Sequence, residues 1–216
     1  TWPAFLRDFR AGHPAPRYES RERSLVGAPA PRRDLIKRQL YLAPYSLVVS
    51  RGCPHSCDFC YKTSFFRGGR SFYTQTVDAA LAEIESLPGR HLFFLDDNIF
   101  GDPRFAVALF EGMRGMGRVW QAAGTVDAVL QPGLLDIAAA SGLSSLFVGF
   151  ETINPANLRA QHKLQNLHGD YGAAIHLMHD HGVMVNGSFV FGMDDDDADV
   201  FTATVDWAVR QGIETA

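Results

Sequence analysis

The chain has 216 residues, enough for one domain with a sizeable core, or a domain plus an extension. Hydrophobic residues make up 46% and charged residues 20%, ordinary for a soluble globular protein. No apolar run reaches bilayer length and no signal-peptide pattern opens the chain, so no membrane span is expected. The net charge of −4 is unevenly spread: residues 1–70 hold 13 Lys and Arg against 5 Asp and Glu, a net of +8, and residues 71–216 hold 7 against 19, a net of −12.

Residues 1–40 carry Pro3, Pro14, Pro16, Pro29 and Pro31 among many arginines. This composition reads as a linker or docking arm. A basic segment of this kind could meet RNA, a phosphate-bearing cofactor or an acidic neighbouring domain. The expectation is a solvated linker, with nucleic acid not excluded.

Beyond Tyr41 the pattern alternates between apolar strand and amphipathic helix. Strands are predicted at Ser46–Ser50, His91–Leu95, Val119–Val126, Ser145–Phe150 and Val183–Phe191, each a short apolar run of the kind found in strands buried on both faces. Val77, Leu81, Ile84 and Leu87 mark a first helix, stopped by Pro88-Gly89. Asp102 reads as the N-cap of a second, with Pro103 at its first position and Phe105, Leu109 and Met113 inward. Pro132 opens a third helix that closes near Gly142. Asn154-Pro155 starts the fourth connection, which runs through Tyr171–His181 to Gly182. A fifth helix spans about Ala198 to Gln211, with Phe201, Val205 and Val209 on one face. Five strand-then-helix units predict a parallel α/β sheet, doubly wound or curved into a barrel. A sixth strand would begin near Gly212-Ile213-Glu214.

All three cysteines fall in Cys53-Pro54-His55-Ser56-Cys57-Asp58-Phe59-Cys60, a C-x3-C-x2-C spacing directly after the first strand. A disulfide would strand the third thiol, and a structural zinc wants four ligands. His55 lies inside the loop, awkwardly placed to serve as the fourth. An iron–sulfur cubane takes one thiolate per iron, so three cysteines would leave one iron open. Clustered thiols without a disulfide framework fit a reducing, cytoplasmic compartment.

Functional groups of a parallel barrel gather at the carboxyl ends of its strands. That rule nominates Asp96, Asp97 and Asn98 after the second strand, Gln121 on the third, Glu151 after the fourth, and Asn186 and Ser188 on one face of the fifth. The adjacent carboxylates Asp96 and Asp97 would bind a cation or an amine, or serve to cap the helix that follows. Glu151 would bind polar groups of a ligand, or be solvated or salt-bridged. The run Asp194–Asp197 reads as a solvated loop, since no calcium-loop spacing surrounds it. There is no phosphate-cradling loop, no G-x-S-x-G elbow and no H-E-x-x-H pair.

The stretch Ser50–Cys60, with Phe59 before the last cysteine, resembles the signature loop of the radical S-adenosylmethionine (SAM) superfamily. The resemblance implies a partial (β/α)6 TIM-like barrel over residues 41–216, incomplete at its sixth strand. It also implies that Cys53, Cys57 and Cys60 hold a [4Fe-4S] cluster whose open iron chelates SAM, which is reductively cleaved to a 5′-deoxyadenosyl radical. Phe59, Asp96, Asp97, Asn98, Gln121, Glu151, Asn186 and Ser188 would then form the cofactor-binding site, with Asp-Asp-Asn standing where the family commonly has a Gly-Gly-Glu-type element. Pro31–Leu35, Leu95–Phe100, Gly149–Thr152 and Phe191–Asp194 together resemble the cobalamin-binding members, many of them C-methyltransferases. Cobalamin would then come through a domain not among these residues, and the partners implied are a small-molecule substrate and a reductase or flavodoxin-type electron donor. A tRNA methylthiotransferase, an oxidative cyclase, an iron–sulfur electron-transfer module and a zinc-binding module remain as alternatives.

Overall fold

The computed structural model describes residues 1–19, 23–66 and 71–216. The expected arm, 1–40, therefore includes three residues outside the described ones. The strands are β1 (Ser46–Leu47), β2 (Ser50–Gly52), β3 (Phe72–Thr74), β4 (His91–Phe94), β5 (Val119–Gly124), β6 (Leu143–Glu151) and β7 (Met184–Phe189). The helices are α1 (Trp2–Arg10), α2 (Lys62–Phe65), α3 (Val77–Ser86), α4 (Pro103–Met113), α5 (Val126–Val129), α6 (Leu134–Ala140), α7 (Pro155–Ala160), α8 (Leu164–Leu167), α9 (Tyr171–Asp180) and α10 (Val200–Gln211).

Five strands form one sheet in the order β1-β4-β5-β6-β7, and every neighbouring pair is parallel. The expected sixth strand is reduced to an isolated parallel bridge between Asn186 and Thr215. Sequential parallel strands joined by helices are what five strand-then-helix units require.

The strands are not buried on both faces, contrary to expectation. Side chains alternate along each strand: Leu92, Phe94, Trp120, Leu146, Val148, Phe150 and Val185 go under the helices and are buried. The register then sets Phe93 beside Gln121, Gln121 beside Ser145, and Phe147 beside Asn186 on the opposite face. There Leu95 and Phe147 remain about half exposed, at 50% and 51%. The helices cover one side only, so the face carrying Gln121, Phe147 and Asn186 stays open.

The covered face holds the aromatic core. The Trp120 ring stacks on Phe110 at 4.9 Å and meets Phe94 edge-on at 5.3 Å. Its indole N–H donates to Ser141 Oγ at 3.1 Å, which satisfies the polar end of a fully buried ring. The α4 cap forms as expected, with Asp102 accepting from the N–H groups of Arg104 and Phe105 at 3.0 and 3.2 Å. Phe105, Leu109 and Met113 are all buried beneath it.

Other boundaries move. The predicted strand Ser46–Ser50 breaks in two, because the N–H groups of Val49 and Ser50 bond to Asp96 and Ser50 pairs with Thr74 of β3 instead of continuing along β4. The third helix starts at Leu134, not Pro132, behind Gly133 at φ +76°. Val126, predicted as strand, begins α5. On α10 the Phe201, Val205 and Val209 stripe faces outward, while Thr204 is buried and Trp207 packs on Phe150 and Phe189.

Within the proline-rich segment, α1 stacks Trp2 on Phe5 at 5.1 Å. Further along, Arg33 bonds to Glu83 of α3 at 2.6 Å and to the Ser46 carbonyl at 2.8 Å, both partly buried.

Candidate active site

The cysteine loop leaves β2 at Gly52, whose φ is +85°. A Cβ there would collide with the Ser71 carbonyl, so the close approach of β3 needs glycine at this point. The Gly52 N–H donates to Asp97 at 2.8 Å, and the Cys53 N–H donates to the Ser71 carbonyl at 3.0 Å. Cys53 and Cys57 are buried and Cys60 is half-buried. Among the described residues, no group of three or more His, Cys, Asp or Glu side chains could hold a single metal ion. His55 faces Asp127, at 3.6 Å, and burial lowers its pKa.

The Asp-Asp-Asn turn after β4 grips this loop. Asp96 is buried and accepts from the Val49 N–H at 3.2 Å, from the Ser50 N–H, and from the Ser50 hydroxyl at 2.5 Å. Burial pushes its carboxyl up to about 6, against the pull of those hydrogen bonds. Asp97 also accepts from the Tyr61 hydroxyl at 2.8 Å. Burial first, then the Asp97 bond, raise that phenol to about 12. Asn98 accepts from the Phe100 N–H at 3.2 Å and turns its Nδ2 to Cys53 Sγ at 3.6 Å. The helix cap that might have used these acids is supplied by Asp102 instead.

The segment after β6 meets the loop from the other side. The Asp58 N–H donates to the Gln161 carbonyl at 3.0 Å, and the Asp58 carboxylate meets His162 Nδ1 at 2.7 Å. Lys163 Nζ lies 5.8 Å from the centre of the Phe59 ring. Gln165 Nε2 donates to Cys57 Sγ at 3.4 Å. Glu151 ends β6 at a bulge, with φ +65°, a backbone region that a glutamate seldom occupies. Its Oε1 pairs with Lys163 Nζ at 2.9 Å, and both side chains are almost fully buried. A Cβ on Gly149 would collide with Glu151 Oε1 and crowd Lys163 Nζ, so that glycine makes room for the pair.

Lys163, Gln165 and His162 were not singled out from the sequence. His162 and Lys163 lie in a polar turn between α7 and α8 and Gln165 on α8, and nothing in their spacing points back to a loop about a hundred residues earlier. The usable signal was topological: a connection leaving β6 must pass the carboxyl end of the sheet.

Gln121, Ser145 and Asn186 line a cavity of about 280 Å³ on the open face, together with Asp96, Leu95 and Phe147. Asn186 Nδ2 donates to Ser145 Oγ at 2.7 Å. Ser188 sits beside Gly149 in the register, on the same strand face as Asn186.

Residues 47–208 match the family model described as the radical SAM superfamily. The chain belongs to the radical SAM superfamily. It is 32% identical over 174 residues to the bacteriochlorophyllide d C-12(1)-methyltransferase of Chlorobaculum tepidum, covering 78% of this chain and 38% of that protein. It is 26% identical over 178 residues to the hopanoid C-2 methylase of Rhodopseudomonas palustris, covering 78% and 33%. Among solved structures it is similar to the radical SAM methyltransferase TsrM from Kitasatospora setae with cobalamin and a [4Fe-4S] cluster bound, with a TM-score of 0.65, 18% identity, and 78% and 35% of the two chains covered. The cobalamin-dependent radical SAM enzyme OxsB gives a TM-score of 0.62 at 20% identity, covering 75% and 26%. These two likenesses bear on the fold, a parallel α/β sheet of the partial-barrel kind. The radical SAM chain described here spans between a third and two-fifths of the two curated relatives named. No helix among its described residues is long and apolar enough to cross a membrane.

Proposed function

We propose that this radical SAM chain is the core of a C-methyltransferase that binds a [4Fe-4S] cluster through Cys53, Cys57 and Cys60. The observation that carries the reading is the thiol arrangement: three cysteines on one short loop, two of them buried with a side-chain amide N–H aimed at sulfur. A cubane needs one thiolate per iron, and this loop supplies three. His55, the candidate within the loop for a zinc's fourth ligand, is turned to Asp127. A reduced cluster of this type supplies the electron that cleaves SAM to methionine and a 5′-deoxyadenosyl radical.

The chain's own residues would bind and orient. Glu151 and Lys163 present opposite charges side by side, suited to the ammonium and carboxylate of an amino acid. Ser188, Asn186 and Gln121 would offer hydrogen bonds along the open face, and Leu95 and Phe147 an apolar wall. Asp96, Asp97 and Asn98 would hold the cysteine loop in place, and Phe59 would pack beside the Lys163 ammonium. The methyl-transfer reading, and with it cobalamin, rests on the named relatives. A small-molecule substrate and a reductase or flavodoxin-type electron donor complete the proposal.

The test is anaerobic reconstitution with iron and sulfide, followed by electron paramagnetic resonance of the reduced protein with and without SAM. A four-iron signal that changes on adding SAM is the expected outcome. A cluster indifferent to SAM, or zinc without iron, would overturn the reading.

A further inference from the structure

Two side-chain amides reach the cysteine sulfurs, one from the turn after β4 and one from the connection after β6, and both thiols they reach are buried. Cys53 is 6% exposed and Cys57 is 7% exposed. Asn98 Nδ2 lies 3.6 Å from Cys53 Sγ, and Gln165 Nε2 lies 3.4 Å from Cys57 Sγ. Both distances suit an N–H donor to sulfur.

The orientation of Asn98 is decided by its other end. Its Oδ1 accepts the Phe100 N–H, so its NH2 must be the group turned toward Cys53. For Gln165 the chemistry decides, because a carbonyl oxygen against a thiolate would set two acceptors face to face. Cys60, by contrast, is half-buried and so nearer to solvent. The amides are thus found where water is excluded.

We propose that Gln165, with Asn98, sets the reduction potential of the cluster carried by this loop, acting as a pair of positioning residues that donate N–H···S hydrogen bonds to Cys57 and Cys53. The proposal rests on the cluster reading above. Reduction adds one electron, much of whose charge falls on the sulfurs. A donor aimed at sulfur stabilises the reduced state more than the oxidised one and raises the potential. Both amides are neutral, so they do this without adding a charge beside the loop. Gln165 is the better probe of the two. Asn98 is fully buried and also holds the Phe100 backbone, whereas Gln165 is half-buried on the short helix α8.

The experiment is an anaerobic redox titration of the chain reconstituted with iron and sulfide alone, read by electron paramagnetic resonance in the absence of SAM. Wild type is compared with Gln165→Leu, which deletes the donor, and Gln165→Glu, which replaces it by an acceptor of the same shape. Iron and sulfide content is measured on each sample. Gln165→Leu is expected to hold a full cluster at a more negative potential, by about a tenfold change in the reduction equilibrium, or ~59 mV for a one-electron couple. Gln165→Glu should fall further in the same direction. Full clusters at the wild-type potential in both variants would overturn the tuning role and leave the cluster reading intact. Loss of the cluster from both variants would make Gln165 structural and overturn it too. A wild-type chain that takes up no four-iron cluster would overturn the cluster reading, and the proposal with it.

Discussion

On the β4 side of the cysteine loop the grip is mainly carboxylate to backbone: Asp96 holds Val49 and Ser50, and Asp97 holds Gly52, with Asn98 reaching a sulfur, that of Cys53. On the β6 side, beside one backbone bond from Asp58 to Gln161, it is side chain to side chain: His162 on Asp58, Lys163 beside Phe59, and Gln165 on Cys57. The first grip is continuous with the buried core and fixes where the loop leaves the sheet. The second sits on the turn between α7 and α8 and on α8 itself, and reaches the side chains that would meet cofactor. A backbone anchor can be rigid without regard to chemistry, while the contacts that adjust a reactive group must reach its own atoms.

The largest effect expected on either side is at the thiols themselves. Cys57→Ala should abolish the four-iron cluster, seen as lost iron and sulfide content after anaerobic reconstitution, with the fold retained by circular dichroism. A full cluster in that variant would break the comparison at its root, since the β6 contact at Gln165 would then touch no ligand.

Next comes the buried pair. Lys163→Met leaves the Glu151 carboxylate without its cation in a nearly closed site. Removing one partner of a buried pair costs about 3–5 kcal/mol, readable by urea unfolding. The double variant Glu151→Gln/Lys163→Met should recover most of the loss. Equal destabilisation in the single and double variants would show that the pair is held by packing and not by charge.

Asp96→Ala should cost less per bond, about 1–3 kcal/mol for each buried donor left unpaired. Asp96 also gives its side a pH signature. Its folded value of about 6 lies above the ordinary 3.8, so the folded state holds the proton more tightly. The stability linked to it is fully present below about 3.8 and declines as pH rises through about 6, with no further loss above that. Carboxyl carbon NMR should find its midpoint near 6, and a midpoint near 3.8 would mean the carboxylate is solvated. Smallest of all is His162→Ala: the Asp58–His162 contact is more than half exposed on both sides, and such pairs contribute up to about 1 kcal/mol. A larger loss in urea unfolding would place more of the loop's anchoring on the β6 side than its exposure implies.

Periodicity and punctuation carried most of the architecture. Five apolar runs became five parallel strands, and Asp102, Asn154 and Gly212 bounded helices where their types suggest. The cysteine spacing and its aromatic were legible because all three thiols lie on one short loop, adjacent in sequence. What failed locally failed for tertiary reasons. The Ser46–Ser50 run breaks because a side chain nearly fifty residues away supplies its hydrogen-bond partners. The Phe201–Val209 stripe faces outward because Trp207, not that stripe, fills the space beside Phe150.

Short-range patterns, read along the chain, were enough for the class of fold, the family and the spacing of the three thiols. Which partner each carboxylate meets depends on contacts made far along the chain. Asp96 is turned into the backbone of β2, Asp97 to Gly52 and Tyr61, and Glu151 to Lys163. A carboxylate next to an apolar strand reads the same whether it meets a backbone amide, a phenol or an ammonium. The partner is brought by the crossing of another strand or helix, at a distance along the chain that no local pattern records.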